Sequence, residues 1–296
     1  MRKTVVGVIA GALLTFAPSP SLAWGTAAHR YIMTQAIDLL PSDLKPFFDR
    51  HRPELVLRVI DPDLWRVVGW EEDQNHFVNF GVPEFGPYPF TALPREHGAA
   101  LEKFGQATLK RNGTLPWREA EEFGNLRRAF EGFTKDVFTA PSDVVLFAAV
   151  ASHYIQDAHQ PLHAVDNYDG QQTQQRGIHA RFETVLFDRF GAKLTVTPRP
   201  VSPITNPRDA SFDVLLESYR LVEPLLNADK EASAGKDAYD DDYFERFFAR
   251  VRPLLERRLA ESIAATAALI VGAWELAGKP ALRIDMPRPV QRIRPR

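Results

Sequence analysis

The sequence predicts an all-α protein, a single multi-helix domain, on three observations. Apolar residues recur at three- and four-residue intervals through most of the chain, no stretch alternates convincingly with a period of two, and proline, glycine and helix caps punctuate the periodic runs. No internal repeat interrupts this pattern. In chain order, residues 27–40 form a first amphipathic run that stops at Pro41. Residues 42–50 give a short second helix with Ser42 as its cap. Residues 97–111 and 116–138 continue the helical period, with Gly113 and Pro116 marking the break between them. The run 142–157 starts at Pro141-Ser142-Asp143 and is almost wholly apolar over 144–151, which predicts a helix buried on every side. Residues 178–190 and 209–228 follow, and 240–277 gives one or two long helices with a kink at Pro253. Residues 82–94 and 196–207 are proline-rich connections.

The two ends read differently. Residues 1–23 begin with Arg2 and Lys3, continue through an apolar run and close on Ser21-Leu22-Ala23, the pattern of a secretory signal peptide too short to span a membrane. No later run reads as long enough to span one; 263–273 is apolar but short. Residues 24–278 form the helical domain, and 279–296 is a Pro/Arg-rich extended tail. The expected mature protein is secreted or periplasmic, soluble and monomeric. Its formal net charge is −2, so no global positive field draws nucleic acid or anionic membrane. With no cysteine, reinforcement has to come from packing or from metal.

The chemistry concentrates in residues 153–183. His153 and Asp157 are four apart, as are His179 and Glu183, so each pair shares one face of a helix. Between them Gln160-Pro161-Leu162-His163 breaks the first helix and residues 167–175 read as a polar loop. Upstream, the stretch IDPDLWRVVGWEEDQNHFVNF offers Asp61, Asp63 and His76, followed by Phe77. Cleavage after Ala23 would free the amine of Trp24, which with its own carbonyl can chelate a cation, and His29 lies a turn or so on. His nitrogens and carboxylate oxygens in this mixture suit zinc, and their number exceeds what one tetrahedral ion takes. His51 and His97 read as surface residues, and His159 as a neighbour of the ligands. Trp65, Trp70, Trp117 and Trp274 read as core or cleft wall.

The motifs WGTAAH, DLWR, HFVN, HYIQDAHQPLH and HARFE, in that order from Trp24 to Glu183, resemble those of the superfamily of zinc-dependent phospholipases C and fungal-type single-strand-specific nucleases. The resemblance implies an all-α fold around a trinuclear zinc site that cleaves phosphodiesters with metal-activated water. Carried onto this chain, it implies that Asp63, His76, His153 and Asp157 hold one zinc ion. Trp24 (through its amine and carbonyl) and His29 hold a second, with Asp157 bridging the two. His163, His179 and Glu183 hold the third. Asp63 is preferred over Asp61 on the Asp-x-x-Arg spacing, and Asp63 and Asp157 are the residues expected to act on the nucleophile. Phe77 and Asn79 are the expected substrate contacts. Arg66 lies beside the phosphate or pairs with a carboxylate. The H-x-x-x-E ending at Glu183 is like the phospholipases, whereas HFVN and QPLH are like the nucleases, with Asn79 standing where the nucleases carry Asp. The expected substrate is a phosphodiester, either phospholipid or single-stranded nucleic acid. A phosphomonoesterase or nucleotidase on the same cluster and a non-catalytic zinc-binding envelope protein are the alternatives.

Overall fold

The computed structural model describes residues 24–284, which are helical with no strand among them. The expected signal peptide (1–23) and most of the tail (285–296) lie outside the described residues. The helices are α1 (Thr26–Asp38), α2 (Lys45–Arg58), α3 (Asp61–Val67), α4 (His97–Phe104), α5 (Gln106–Asn112), α6 (Leu115–Thr134), α7 (Ala140–Ala158), α8 (Ile178–Ala180), α9 (Leu186–Phe190), α10 (Pro207–Arg220), α11 (Val222–Ser233) and α12 (Asp241–Leu276). Short 3-10 turns at Asp73–His76 and Pro161–Ala164, and one π turn at Arg181–Val185, complete the frame of the site.

Helix α7 is the axis. Its residues from Ser152 to Ala158 are all buried, because α1, α2, α6, α10 and α12 pack around it. A helix this apolar is stable only when enclosed, and that enclosure removes water from its polar residues too. Its C-terminal carbonyls would be orphaned in such a setting. Ser218 Oγ donates to Ala158 O (2.6 Å), Arg258 Nε donates to His159 O (2.9 Å), and Arg258 Nη2 donates to Ser218 Oγ (2.7 Å). A cation at a helix C-terminus also opposes the partial negative charge there. The end of α7, which carries Asp157, is thereby fixed by α10 and α12.

Several element boundaries differ from those the sequence suggests. Helix α2 starts at Lys45 rather than at a Ser42 cap and runs through Pro53 to Arg58. The run 97–111 is two helices, parted at Gly105, whose φ of 75° is in the left-handed region. The run 209–228 falls into α10 and α11, which meet at Leu221. Helix α12 is a single 36-residue element, roughly 54 Å long, that passes through Pro253. Contrary to the sequence reading, α12 is long and apolar enough to cross a membrane by length and composition. Most of that apolar stretch is instead buried in the bundle, against α1, α6, α7 and α11. Gly272 allows this packing: a Cβ there would lie 1.8 Å from Ile204 O, where the 196–207 connection crosses the helix. The described start of the tail is docked, with Trp274 Nε1 donating to Pro280 O (2.9 Å) and Arg283 paired with Asp136 (2.8 Å).

Candidate metal centre

Five separate segments deliver side chains to one end of α7. His29 comes from α1, Asp63 from α3, His76 from the 3-10 turn before Phe77, and His163 from the 3-10 turn that follows α7. His179 and Glu183 come from α8 and the π turn, and α7 itself gives His153 and Asp157. Their ligand atoms form three groups, each within 4.8 Å: His29, His153 and Asp157; Asp63, His76 and His153; His163, His179 and Glu183. All are buried. Asp157 reaches in two directions. Its Oδ1 is 3.3 Å from His29 Nε2, while its Oδ2 is 2.9 Å from His76 Nδ1 and 3.2 Å from His153 Nε2.

The hydrogen bonds at the back of each ring show why this set suits a cation. Nδ1 of His153, His163 and His179 donates to a main-chain carbonyl: Val59 O at 2.8 Å, His76 O at 2.6 Å and Tyr168 O at 3.0 Å. His29 Nδ1 donates to Gln156 Oε1 at 2.6 Å. With the proton committed to Nδ1, each Nε2 presents a lone pair to the cluster. His163 Nε2 and His179 Nε2 are only 3.2 Å apart, with Glu183 Oε2 2.9 Å from His179 Nε2. Two lone pairs and a carboxylate oxygen so close repel unless positive charge lies among them. His76 turns its Nδ1 inward, 3.0 Å from His153 Nε2. His29 Nε2, His76 Nε2, Asp63 Oδ2 and Asp157 Oδ1 are buried with no hydrogen-bond partner, which is costly unless something else satisfies them.

The electrostatics of the cluster without a metal ion point the same way. Burial would lower the pKa of His153, yet Asp157 and Asp63 opposite reverse the sign and raise it to about 9. His179 is raised in the same way, burial being outweighed by Glu183. Burial would raise Asp157, but His153, His163 and His29 hold it well below the usual carboxylate range. A proton on His153 thus occupies the place of a cation, and His179 is shifted in the same direction. His163 goes the other way: burial, reinforced by His179, drives it down to about 3 and leaves it a neutral donor.

Sequence reasoning missed the residues that hold the ligands. Gln160 Nε2 donates to Glu183 Oε2 (2.8 Å) while its Oε1 accepts from Leu162 N (2.5 Å), so one side chain sets both the turn after α7 and a carboxylate of the third group. Gln156 Oε1 accepts from His29 Nδ1 and so orients that ring. Both glutamines lie among the ligands in HYIQDAHQPLH, one turn apart, and that spacing was the available signal. Arg181 gave no such signal. It lies between His179 and Glu183, pairs with buried Asp229 (3.0 Å), donates to Tyr243 Oη (2.9 Å) and reaches the carbonyls of Gln175 and Arg176. Those partners belong to α11, α12 and the preceding loop, and nothing local in the sequence links them.

An open cleft of about 480 Å³ lies over the ligands, lined by His76, His163, His179, Arg66, Asp73, Phe77, Asn79, Arg111, Leu162 and Tyr168. Phe77 and Asn79 are both on its wall. Gly113 (φ 95°) lets the chain pass against Phe77, since a Cβ there would lie 2.0 Å from Phe77 O. Arg66 pairs with Asp73 (2.7 Å) and reaches Asp63 (3.5 Å), so it lines the cleft and pairs with carboxylates at once. A larger hollow of about 720 Å³, beside Tyr88, Tyr219 and Lys230, contains none of the ligands. Asp61 pairs with Arg58 (3.2 Å) and is not one of the grouped residues. The Trp24 indole is buried and donates to Gln156 O (2.8 Å), which leaves its main chain as the part able to coordinate. His159 points away from the ligands, with Nδ1 donating to Ile155 O (2.7 Å) and its ring at the floor of a groove beside Thr195 and Glu261. His97 is exposed as expected, whereas His51 is half-buried against Phe47. Trp70, expected in the core or cleft wall, is instead 61% exposed. No protein-family model matches this chain, and no curated protein matches it significantly.

Proposed function

We propose that the chain is a zinc-dependent hydrolase of phosphoric esters, acting first on phosphodiesters, with three ions held by the residues gathered at the end of α7. The observation that supports this most is Asp157, a buried carboxylate with one oxygen directed to each of two adjoining ligand groups, beside a third group under an open cleft. A structural zinc ion takes four protein ligands and is closed off, whereas groups of three side chains next to a cleft leave positions open. The N/O donor set favours zinc. Ions held by these residues would supply a water of lowered pKa and neutralise phosphoryl oxygens.

The chain's own residues would do the rest. Asp157 and Asp63 hold the charge balance at the reacting end. Asp63 would orient the nucleophile, with Arg66 reaching its carboxylate. Phe77 and Tyr168 offer flat apolar surface for the group attached to the phosphate, and Asn79 lies beside Phe77. The Trp24 main chain completes the second group only once its amine is free, which makes export and cleavage part of the assembly. The test is a substrate panel on the metal-replete protein beginning at Trp24: a chromogenic phosphodiester, single-stranded DNA, RNA and phosphatidylcholine, each with and without chelator. Turnover of at least one diester, lost on chelation and restored by zinc, is expected. Turnover of no phosphoric ester, or turnover indifferent to chelation, would refute the reading.

A further inference from the structure

Helix α3 has two unlike faces. Asp63 and Arg66 are directed to the ligand cluster and the cleft, while Leu64, Val67 and Val68, at i, i+3 and i+4, form an exposed apolar flank beside them. Those three are 47%, 64% and 67% exposed, and Trp70, just beyond the helix, is 61% exposed and stacks on Trp65 with ring centroids 5.6 Å apart. Nothing in the bundle's packing calls for four large apolar side chains in water on one short segment.

We propose that this strip is a docking face for a zwitterionic phospholipid surface, which it brings to the mouth of the cleft. Three observations favour that occupant. The strip is continuous with the cleft, since Arg66 and Asp73, within it and just after it, line the cleft wall. Its local charge does not invite an anionic partner: Glu71 and Asp73 flank it, Arg66 is engaged by Asp73 (2.7 Å) and Lys110 by Glu71 (2.9 Å). Aliphatic side chains capped by an exposed indole match the boundary between acyl chains and headgroups, and the aliphatic ones offer little to bases and phosphates. A second copy of the chain fits less well, because a stable dimer face takes roughly 20–30 residues a side. The proposal rests on the phosphoric-ester reading only for what happens to the lipid after docking.

The test is flotation with phosphatidylcholine vesicles, using wild-type protein, the variant Val67→Ser/Val68→Ser/Trp70→Ser, and both in an Asp157→Asn background so that turnover cannot alter the vesicles. Each apolar side chain left in water forfeits about tenfold in partitioning, so the triple variant should bind at least about a hundredfold more weakly. Its hydrolysis of a soluble chromogenic diester should stay within about twofold of wild type, as expected for exposed positions, while hydrolysis of vesicle lipid falls with binding. Phosphatidylglycerol vesicles should bind no better, and high salt should not release the protein. Wild type that fails to float, or a triple variant that floats equally well, overturns the proposal. So does a triple variant that instead loses dimerisation or single-stranded oligonucleotide binding. If no ester is turned over but the strip still governs flotation, the docking face stands and the hydrolase reading falls; soluble-diester turnover without flotation gives the reverse.

Discussion

Replacing Asp157 with Asn keeps the side chain's shape and removes its charge, which makes it the sharpest perturbation of the centre. The Oδ1 that faces His29 Nε2 at 3.3 Å and the Oδ2 that faces His76 Nδ1 at 2.9 Å and His153 Nε2 at 3.2 Å cannot both remain acceptors in an amide. One group loses a ligand atom outright and the other loses an anion. Removing a mere supporting partner of a metal ligand costs about 10–100-fold in affinity, so a shared direct ligand should cost more, at both ions. Turnover of a chromogenic diester should fall by at least about a thousandfold. In the metal-free protein the same change leaves His153 without its main counter-charge, and breaking a buried pair in this way costs about 3–5 kcal/mol. Metal content after gel filtration, initial rates and thermal melting of the stripped protein measure the three effects separately. An Asp157→Asn protein that kept every ion and a near wild-type rate would refute the reasoning.

Three more outcomes follow from the same geometry. One residue added before Trp24 turns its amine into an amide, so the extended protein should lose one zinc ion and most activity, as metal analysis would show. His159→Asn should leave turnover of the soluble diester within about twofold, since that ring faces away from the cleft; it should also change acid stability. Burial and Arg258 lower His159 to about 3. Between that value and the unfolded pKa the unfolded chain binds the extra proton, so the wild type loses stability as pH falls, by about 2 kcal/mol at pH 5. Urea melts of both metal-free proteins from pH 7 to pH 5 should therefore converge, and parallel curves would count against it. Glu119 is fully buried beside Glu122 and in the field of Asp157, and burial raises it well above the usual carboxylate range. A carboxyl shifted up in this way contributes stability below its unfolded value that is lost as pH rises. Glu119→Gln should then be more stable at pH 7 by about 1–3 kcal/mol and show no gain near pH 4.

The helices were legible because burial is periodic, and the centre because its paired ligands sit on that same period. His153 with Asp157 and His179 with Glu183 need only the helical repeat to meet, although the second pair meets across a π turn that no local pattern announces. The preference for Asp63 over Asp61 came from motif spacing; in the structure Asp63 lies in a group able to hold a metal ion, while Asp61 pairs with Arg58 on the preceding helix. What could not be read was tertiary. The Arg181–Asp229–Tyr243 tie joins the π turn to α11 and α12, and the capping of α7 by Ser218 and Arg258 depends on how α10 and α12 cross it. Trp70 misled because its composition says core, while only the short turn after α3 places it outside. The broken helices had visible causes, Gly105 among them, whereas the passage of α2 and α12 through Pro53 and Pro253 shows packing overriding local preference.

The proposed chemistry needs three ions among these particular side chains. Anomalous X-ray diffraction at the zinc absorption edge, on crystals of zinc-replete protein beginning at Trp24, tests it most directly. Three peaks are expected: one between His29 and Asp157 beside the Trp24 main chain, one among Asp63, His76 and His153, and one among His163, His179 and Glu183. No peak, or peaks only at surface carboxylates away from the end of α7, would contradict it.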